Sequence, residues 1–284
     1  MNETQVEPTR VDLHLHSTAS DGQFTPTDLV QMCRAKGLRV IALTDHDTTD
    51  GVAEAMAAAA RADAVPPLTV IPGVEISTDV PGQYEIHIIG YYIDLENAAL
   101  QRRLTGMRES RLSRARAIWE RLNELGHSVS WERVLVLAGD GSVGRPHIAQ
   151  ALVEAGYAES IADAFQKYIG KTGQAYVPRP KLRPEEAIQL IRDAGGVPVL
   201  AHPDHVIEHI PALVQAGLMG LEAYYNGYPV VEVEFLKRLA HKHGLIVTGG
   251  SDFHGPDVTE SIELGSTFVP WEVVESLQRA AGKA

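Results

Sequence analysis

Residues 11–16 read Val-Asp-Leu-His-Leu-His, with an acid, Asp21, close behind. Leucine and histidine alternate with the period of two that marks a β-strand, so His14 and His16 share one face and Leu13 and Leu15 the other. A single His-x-His of this kind is ordinarily two surface histidines above a buried leucine pair. Repetition along the chain argues otherwise. The apolar run Val40-Ile41-Ala42-Leu43 leads into Thr44-Asp45-His46-Asp47, and Gly73-Val74-Glu75 closes a third run. His87 sits among isoleucines in Glu85-Ile86-His87-Ile88-Ile89. Ala201-His202-Pro203 follows Val197-Pro198-Val199-Leu200, and Ser251-Asp252-Phe253-His254 follows Ile246-Val247-Thr248-Gly249. Ionisable residues thus collect where strands end, which is where (β/α) barrels carry their chemistry.

Between these runs the pattern turns helical. Thr25-Pro26 reads as an N-cap with proline at the first helical position, and Lys36-Gly37 as the stop of that helix. Residues 51–64 are alanine-rich and helical. Leu68–Ile76 and Ile86–Ile93 read as strands. From Asn97 to Gly173 almost no strand signal appears: Leu100, Leu104, Met107, Leu112, Ile118, Leu122 and Leu125 recur at helical spacing, and shorter helices are expected over Arg145–Ala155 and Ser160–Tyr168. Strand–helix alternation resumes with a helix at Pro184–Ala194, strands at Val197–Ala201, Gly220–Ala223 and Leu245–Thr248, a helix at Val230–His243, a last strand at Glu263–Val269 and a closing helix from Trp271. About seven strand–helix units, with no glycine-rich dinucleotide fingerprint after the first strand, predict an α/β fold with a parallel, closed or nearly closed barrel. Two domains are expected: a discontinuous barrel, residues 1–96 and 174–284, and an all-helical insertion, residues 97–173, that caps the active site.

The composition narrows the function. A formal charge of −12 over 284 residues disfavours a general nucleic-acid coat or an anionic-membrane binder. The one cysteine, Cys33, excludes an intramolecular disulfide and a thiolate metal cluster, and its place in Leu29-Val30-Gln31-Met32-Cys33 predicts core packing. The N-terminus MNETQVEPTR lacks a signal-peptide apolar core, and no apolar run approaches the length of a membrane span. The expected compartment is the cytoplasm, with neither a membrane nor a protein partner.

Unpaired buried imidazoles and carboxylates are costly, and metal coordination offsets that cost. Nitrogen and oxygen donors without sulfur suit zinc, manganese or iron. Nine donors exceed what one tetrahedral ion takes, so two or three clustered ions with a bridging carboxylate are expected. Three dications against three carboxylates leave a local charge of roughly +3, which would draw phosphate into an otherwise acidic protein.

The donor order resembles the PHP family, named for polymerase and histidinol phosphatase domains. That family's pattern of His-x-His, Asp, a His within a Thr-Asp-His-Asp run, Glu, His, His and Asp-x-His is filled here by His14, His16, Asp21, His46, Glu75, His87, His202, Asp252 and His254. The resemblance spans Val11 to His254 and implies a distorted (β/α)7 TIM-like barrel with a trinuclear metal centre. It also implies a division of ligands: His14, His16, Glu75 and Asp252 on one ion, Glu75, His87 and His202 on a second, Asp21, His46 and His254 on a third. Asp45, Asp47 and Asp204 become candidates for orienting those ligands. Within the family, HLHSTASDG, the helical insertion after His87 and Gly144-Arg145-Pro146-His147-Ile148-Ala149 are most similar to the branch that hydrolyses nucleoside 3′,5′-bisphosphates and short RNA 5′ ends.

The expected chemistry is phosphoester hydrolysis, with water activated by divalent ions, most simply Mn2+, with Zn2+ or Fe2+ as alternatives. His14, His16, Glu75 and Asp252 carry it, and His205 is the candidate to protonate the departing oxygen. Arg145 and Lys171 are candidates for a second phosphate, His147 for the same phosphate or its loop, and Asn226, with Tyr224 and Tyr225, for base or ribose. Seven arginines on the insertion, Arg102, Arg103, Arg108, Arg111, Arg114, Arg116 and Arg121, read as the wet face of an amphipathic helix in preference to a nucleic-acid track. The expected partner is a small nucleotide or short RNA. The rivals are a histidinol-phosphate type of phosphatase, a 5′→3′ exonuclease, a binding-only domain and a metal-dependent amidohydrolase.

Overall fold

A computed structural model describes residues 10–61, 66–80, 85–139, 143–178, 182–203, 206–256, 258 and 262–283. Seven strands form one sheet in the order of the chain: β1 (Val11–Leu15), β2 (Val40–Leu43), β3 (Thr69–Asp79), β4 (Glu85–Tyr91), β5 (Val197–Leu200), β6 (Gly220–Tyr225) and β7 (Ile246–Gly250). The last strand returns to the first. The Asp252 amide donates to the His14 carbonyl at 2.9 Å, and the His16 amide to the Phe253 carbonyl at 3.1 Å. The result is a nearly closed barrel, as expected.

Direction is where the sheet departs from expectation. β4 runs antiparallel to both β3 and β5, while the other pairs are parallel. A parallel return needs a crossover of a dozen or more residues, and β3 and β4 are too close in sequence for one. The reversal brings the start of β4 to the barrel end where the other strands finish. His87 therefore belongs to that end although it opens its strand. The predicted strand at Glu263–Val269 is also absent. That segment is irregular, and its Gly265 amide donates to buried Asp12 at 3.1 Å.

Helices α1 (Pro26–Ala35) and α2 (Val52–Ala59) follow β1 and β2. Thr25 caps α1 by accepting from the Asp28 amide, and Gly37 takes φ +83° after its end. β2 shows how the layers form. Val40 and Ala42 join a cluster with Ile71, Ile89, Val197 and Val199, whereas Ile41 and Leu43 pack with Leu29, Val30 and Cys33 of α1. Both faces of the strand are covered, as a parallel barrel strand requires.

Between β4 and β5 come α3 (Ala98–Glu124), α4 (Trp131–Ala138), α5 (Arg145–Glu154) and α6 (Ile161–Ala164), the last continuing as a wider turn over Phe165–Ile169. The 27-residue α3 serves two cores. Its first half buries Leu100, Leu104 and Met107 against Val74, Ile76, Ile86 and Ile88 of β3 and β4, and its second half puts Ala115, Ile118 and Leu122 into a separate cluster with Val134, Ile148 and Leu152. The chain then returns through α7 (Pro184–Asp193), β5, α8 (Ile210–Gln215), β6, α9 (Val230–His243), β7 and α10 (Trp271–Ala280). Among the described residues, no helix is long and apolar enough to cross a membrane.

Candidate metal centre

Glu75 lies at the middle of the donor cluster. Its Oε2 stands 3.3 Å from Nε2 of His14, 3.3 Å from Nε2 of His16 and 3.0 Å from Nδ1 of His46. Its Oε1 stands 2.9 Å from Nδ1 of His87 and 3.3 Å from Nε2 of His202. One carboxylate therefore faces five imidazoles, each oxygen turned to a different group of rings. β3 runs past the end of its neighbour, and His46 bridges to Glu75 through backbone pairing.

Asp252 and Asp21 flank this axis. Asp252 Oδ1 is 3.2 Å from His14 Nε2 and 3.1 Å from His16 Nε2. Asp21 Oδ1 is 3.5 Å from His254 Nε2, and its Oδ2 is 3.9 Å from His46 Nε2. The rings of His16 and His254 stack at 4.0 Å between centroids. All nine predicted donors thus converge. Three sets of donor atoms fall close enough for a shared ion: His14, His16, Glu75 and Asp252; His16, Asp21, His46 and His254; and His46, Glu75 and His87. The first set matches the expected division. The others draw in His16 and His46, and His202 approaches Glu75 from outside them.

These residues fit a metal on physical grounds. His14 Nε2, both ring nitrogens of His16, His46 Nδ1, Glu75 Oε2, Asp252 Oδ1 and Asp21 Oδ1 are buried and make no directed hydrogen bond. Buried polar atoms left this way are expensive unless a cation takes their lone pairs. Two donors also sit on left-handed backbone, His202 at φ +26° and Asp252 at φ +58°. Non-glycine residues adopt that region uncommonly, and where they do at a site it is the surrounding structure that holds them there.

The electrostatics show charges held together by force. Burial works against the charged form everywhere here, yet the imidazoles around Asp21, Glu75 and Asp252 hold all three carboxyls well below their ordinary range. Burial pulls His87 down, but Glu75 wins and holds it up to about 9; Asp252 and Asp21 likewise hold His254 up to about 10. At His46 burial dominates, and the value falls to about 3.

Around the donors lies a supporting layer. Asp45 accepts from the Ser17 amide and hydroxyl, both at 2.7 Å, and from the Ser20 hydroxyl at 2.6 Å. Asp47 accepts from the Ser77 amide at 2.8 Å and from Nε of Arg111 at 2.6 Å. One residue of this layer, Glu222, escaped the sequence reading, and another, Tyr225, takes a different role from the one expected. Buried Glu222 on β6 accepts from the His202 amide at 2.9 Å and faces Nδ1 of His14 at 3.1 Å. The Tyr225 hydroxyl donates to Asp252 Oδ2 at 2.8 Å. Tyr225 therefore supports a donor, in a place where sequence pointed to a base or ribose contact.

A cavity of about 260 Å3 opens beside Asp21, His46 and His87, and Arg111, Arg114 and Arg145 line it. Arg145 begins α5, lies over the Phe165 ring at 5.4 Å and sits 3.6 Å from Glu85. The predicted wet face of α3 holds for exposed Arg102, Arg103, Arg116 and Arg121, whereas Arg108 reaches Thr48 and Asp50, Arg111 reaches Asp47, and Arg114 donates to the Val177 carbonyl at 2.8 Å. His147 lies one residue past Pro146 with its Nδ1 accepting from the Gly144 amide at 3.1 Å. Exposed Lys171 is not among the residues lining this cavity, and Asn226 accepts from the Ser266 hydroxyl at 3.1 Å on the rim beyond β6. Asp204 and His205 lie outside the described residues.

A barrel with histidine and carboxylate donors convergent at one mouth defines the class of metal-dependent hydrolases. The chain belongs to the PHP family, whose PHP domain model matches residues 12–197, and it is a metal-dependent phosphoester hydrolase. It is 38% identical over 261 residues to the 5′-3′ exoribonuclease Rnm of Salmonella typhimurium, covering 89% of this chain and 87% of that protein. It is 35% identical over 254 residues to the 3′,5′-nucleoside bisphosphate phosphatase of Chromobacterium violaceum, covering 87% of each. A crystal structure from Bifidobacterium adolescentis, assigned to the metal-dependent phosphoesterases, superposes with a TM-score of 0.86 at 33% identity, covering 96% of this chain and 98% of that one.

Proposed function

We propose that the protein removes the 3′-phosphate from nucleoside 3′,5′-bisphosphates, leaving nucleoside 5′-monophosphates, and that the same site trims short 5′-phosphorylated RNA. The observation that carries this reading is adjacency: Asp21, His46 and His87, at the edge of the donor cluster, line a cavity with three guanidinium groups. A substrate with two phosphates a nucleoside apart needs one site for cleavage and a second, cationic site for anchoring. The names of the two relatives support the same substrate class.

The residues that would hold the ions are His14, His16, Asp21, His46, Glu75, His87, His202, Asp252 and His254, with Mn2+ as the ion. When bound, divalent ions supply Lewis-acid activation of water and neutralise charge on the phosphoryl oxygens. The chain's own side chains do the rest. Glu75 holds five rings in one arrangement, and Glu222 and Tyr225 fix the directions of His14, His202 and Asp252. Arg145 and Arg111 face the anchored phosphate as planar forks suited to its oxygens. Residues 97–173 form the cap that carries these arginines over the mouth, and the cytoplasm is the compartment. The bond that breaks joins phosphorus to O3′; water adds its oxygen to phosphorus, and O3′ takes a proton.

The test is a comparison of pAp, AMP, histidinol phosphate and a 5′-phosphorylated oligoribonucleotide in the presence of Mn2+. pAp should be the preferred monoester, and Arg145→Ala should raise its KM at least tenfold. Preference for histidinol phosphate, or for a carboxamide, would overturn the reading.

A further inference from the structure

Asp21 borders a second cavity, of about 350 Å3, on the opposite side of the start of α5. Gln23, Leu137, Pro146, His147, Gln150 and Ile161 help to line it. Asp21 and Pro146 belong to both cavities, so one predicted metal donor, Asp21, borders each of them.

The two cavities differ in chemistry. The first holds three arginines; among the described residues lining the second there is no lysine or arginine, and its two carboxylates are Asp21 and Glu154, the latter held by Arg133. Leu137 and Ile161 give it apolar surface. α5 turns His147 and Gln150 toward it, three residues apart on one face of the helix. Because Nδ1 of His147 accepts from the Gly144 amide, a neutral ring carries its proton on Nε2. Apolar walls with an amide and an imidazole donor suit a nucleobase, whose faces are apolar and whose edges hydrogen-bond. They do not suit a phosphate.

We infer that this cavity is the downstream-nucleoside subsite: it takes the nucleoside joined through its O5′ to the phosphate under attack. The inference rests on the function proposed above. In a nucleoside 3′,5′-bisphosphate the attacked phosphate ends in a free oxygen at this point, and the cavity plays no part. In a 5′-phosphorylated dinucleotide the same P–O3′ bond breaks, water adds its oxygen to phosphorus, O3′ takes a proton, and the second nucleoside departs as its 5′-monophosphate. One catalytic geometry thus serves a monoester and a diester, and the second cavity is where they differ.

Two measurements test this. Leu137→Trp and Ile161→Trp each place an indole in the cavity, and kcat/KM is compared for pAp and pApA with Mn2+. The pApA:pAp ratio should fall at least tenfold in a variant whose melting temperature matches that of the parent. The second measurement needs no variant: with the parent enzyme, replacing the downstream base of pApA by an abasic ribose should lower kcat/KM at least fivefold. A ratio that stays constant in a folded variant, or an abasic dinucleotide cleaved as fast as pApA, overturns the assignment. Should the parent cleave neither pAp nor pApA, the proposed function itself fails; cleavage of both with an unaltered ratio removes the subsite alone.

Discussion

Glu222 sets the orientation of His14: its Oε1 stands 3.1 Å from the imidazole Nδ1, and both side chains are fully buried. The carboxylate fixes the ring proton on Nδ1 and leaves Nε2 turned to Glu75 and Asp252. Its other oxygen accepts from the His202 amide, so one acid steers donors from two strands. Glu222→Gln keeps the shape and removes the charge. We expect Mn2+ affinity to fall about 10- to 100-fold, measured by calorimetric titration, with little change in melting temperature of the metal-free protein. Undiminished affinity would show that the ring needs no such partner.

Gly250 ends β7 against His14. A Cβ at this position would overlap the backbone nitrogen and Cβ of His14, neither of which can rotate away. Gly250→Ala should therefore cost about 1–3 kcal/mol in urea unfolding and reduce bound metal, because β1 must shift with His14 and with His16 just beyond its end. A stability equal to that of the parent would mean that the seam between β7 and β1 has slack.

Arg111 joins α3 to the metal centre through Asp47 and the Ser77 hydroxyl. Asp47 is buried and sits at φ +56° beside His46. Arg111→Met keeps the aliphatic bulk and takes away the charge opposite Asp47. Removing one partner of a buried pair costs about 3–5 kcal/mol, and the partial exposure of Arg111 reduces this to about 2–3 kcal/mol. Arg111→Lys should recover much of that stability yet still raise KM for pAp, since an ammonium lacks the planar fork. Equal KM for the lysine variant and the parent would exclude a phosphate contact.

Metal binding should release protons. A ligand nitrogen must be deprotonated, and in the metal-free protein His87 and His254 are held up to about 9 and about 10 by neighbouring carboxylates. Both carry protons at pH 7 and must shed them on binding. Affinity for Mn2+ should thus fall as pH drops from 9 to 6. Titration in buffers of different ionisation enthalpy counts the protons, and a count of zero would contradict this protonation state. Exhaustive chelation should abolish hydrolysis and lower the melting temperature, because the three carboxylates and six rings lose the cations that hold them together.

Most of the donors were legible because they stand beside an apolar run, and spacing of that kind survives without knowledge of the fold; Asp21, in Ser17-Thr18-Ala19-Ser20-Asp21-Gly22, stands in a polar loop and lacks that signal. Strand direction was not. Periodicity is the same in either sense along a chain, so His87 reads as a strand residue whichever way β4 points. A clue did exist, since the stretch between β3 and β4 is far too short for a helical return and contains Pro81-Gly82. Glu222 was hidden for a different reason: Leu221-Glu222-Ala223 has the alternation of a half-wet strand, and only the closed barrel reveals that both faces are buried. Arg111 and Arg108 were lost in a run of arginines whose members differ only in which way α3 turns them.

That turning has an outcome for how such proteins diverge. α3 passes from the barrel core to the helical core without a break between Met107 and Ala115. One residue inserted or deleted there swings everything beyond it by about 100° around the axis, carrying Arg114 away from the mouth. Length changes in loops are cheap for most folds, but here the splice point lies inside a rigid shaft. Exchange of this segment among homologues is therefore restricted to pieces that preserve helical phase.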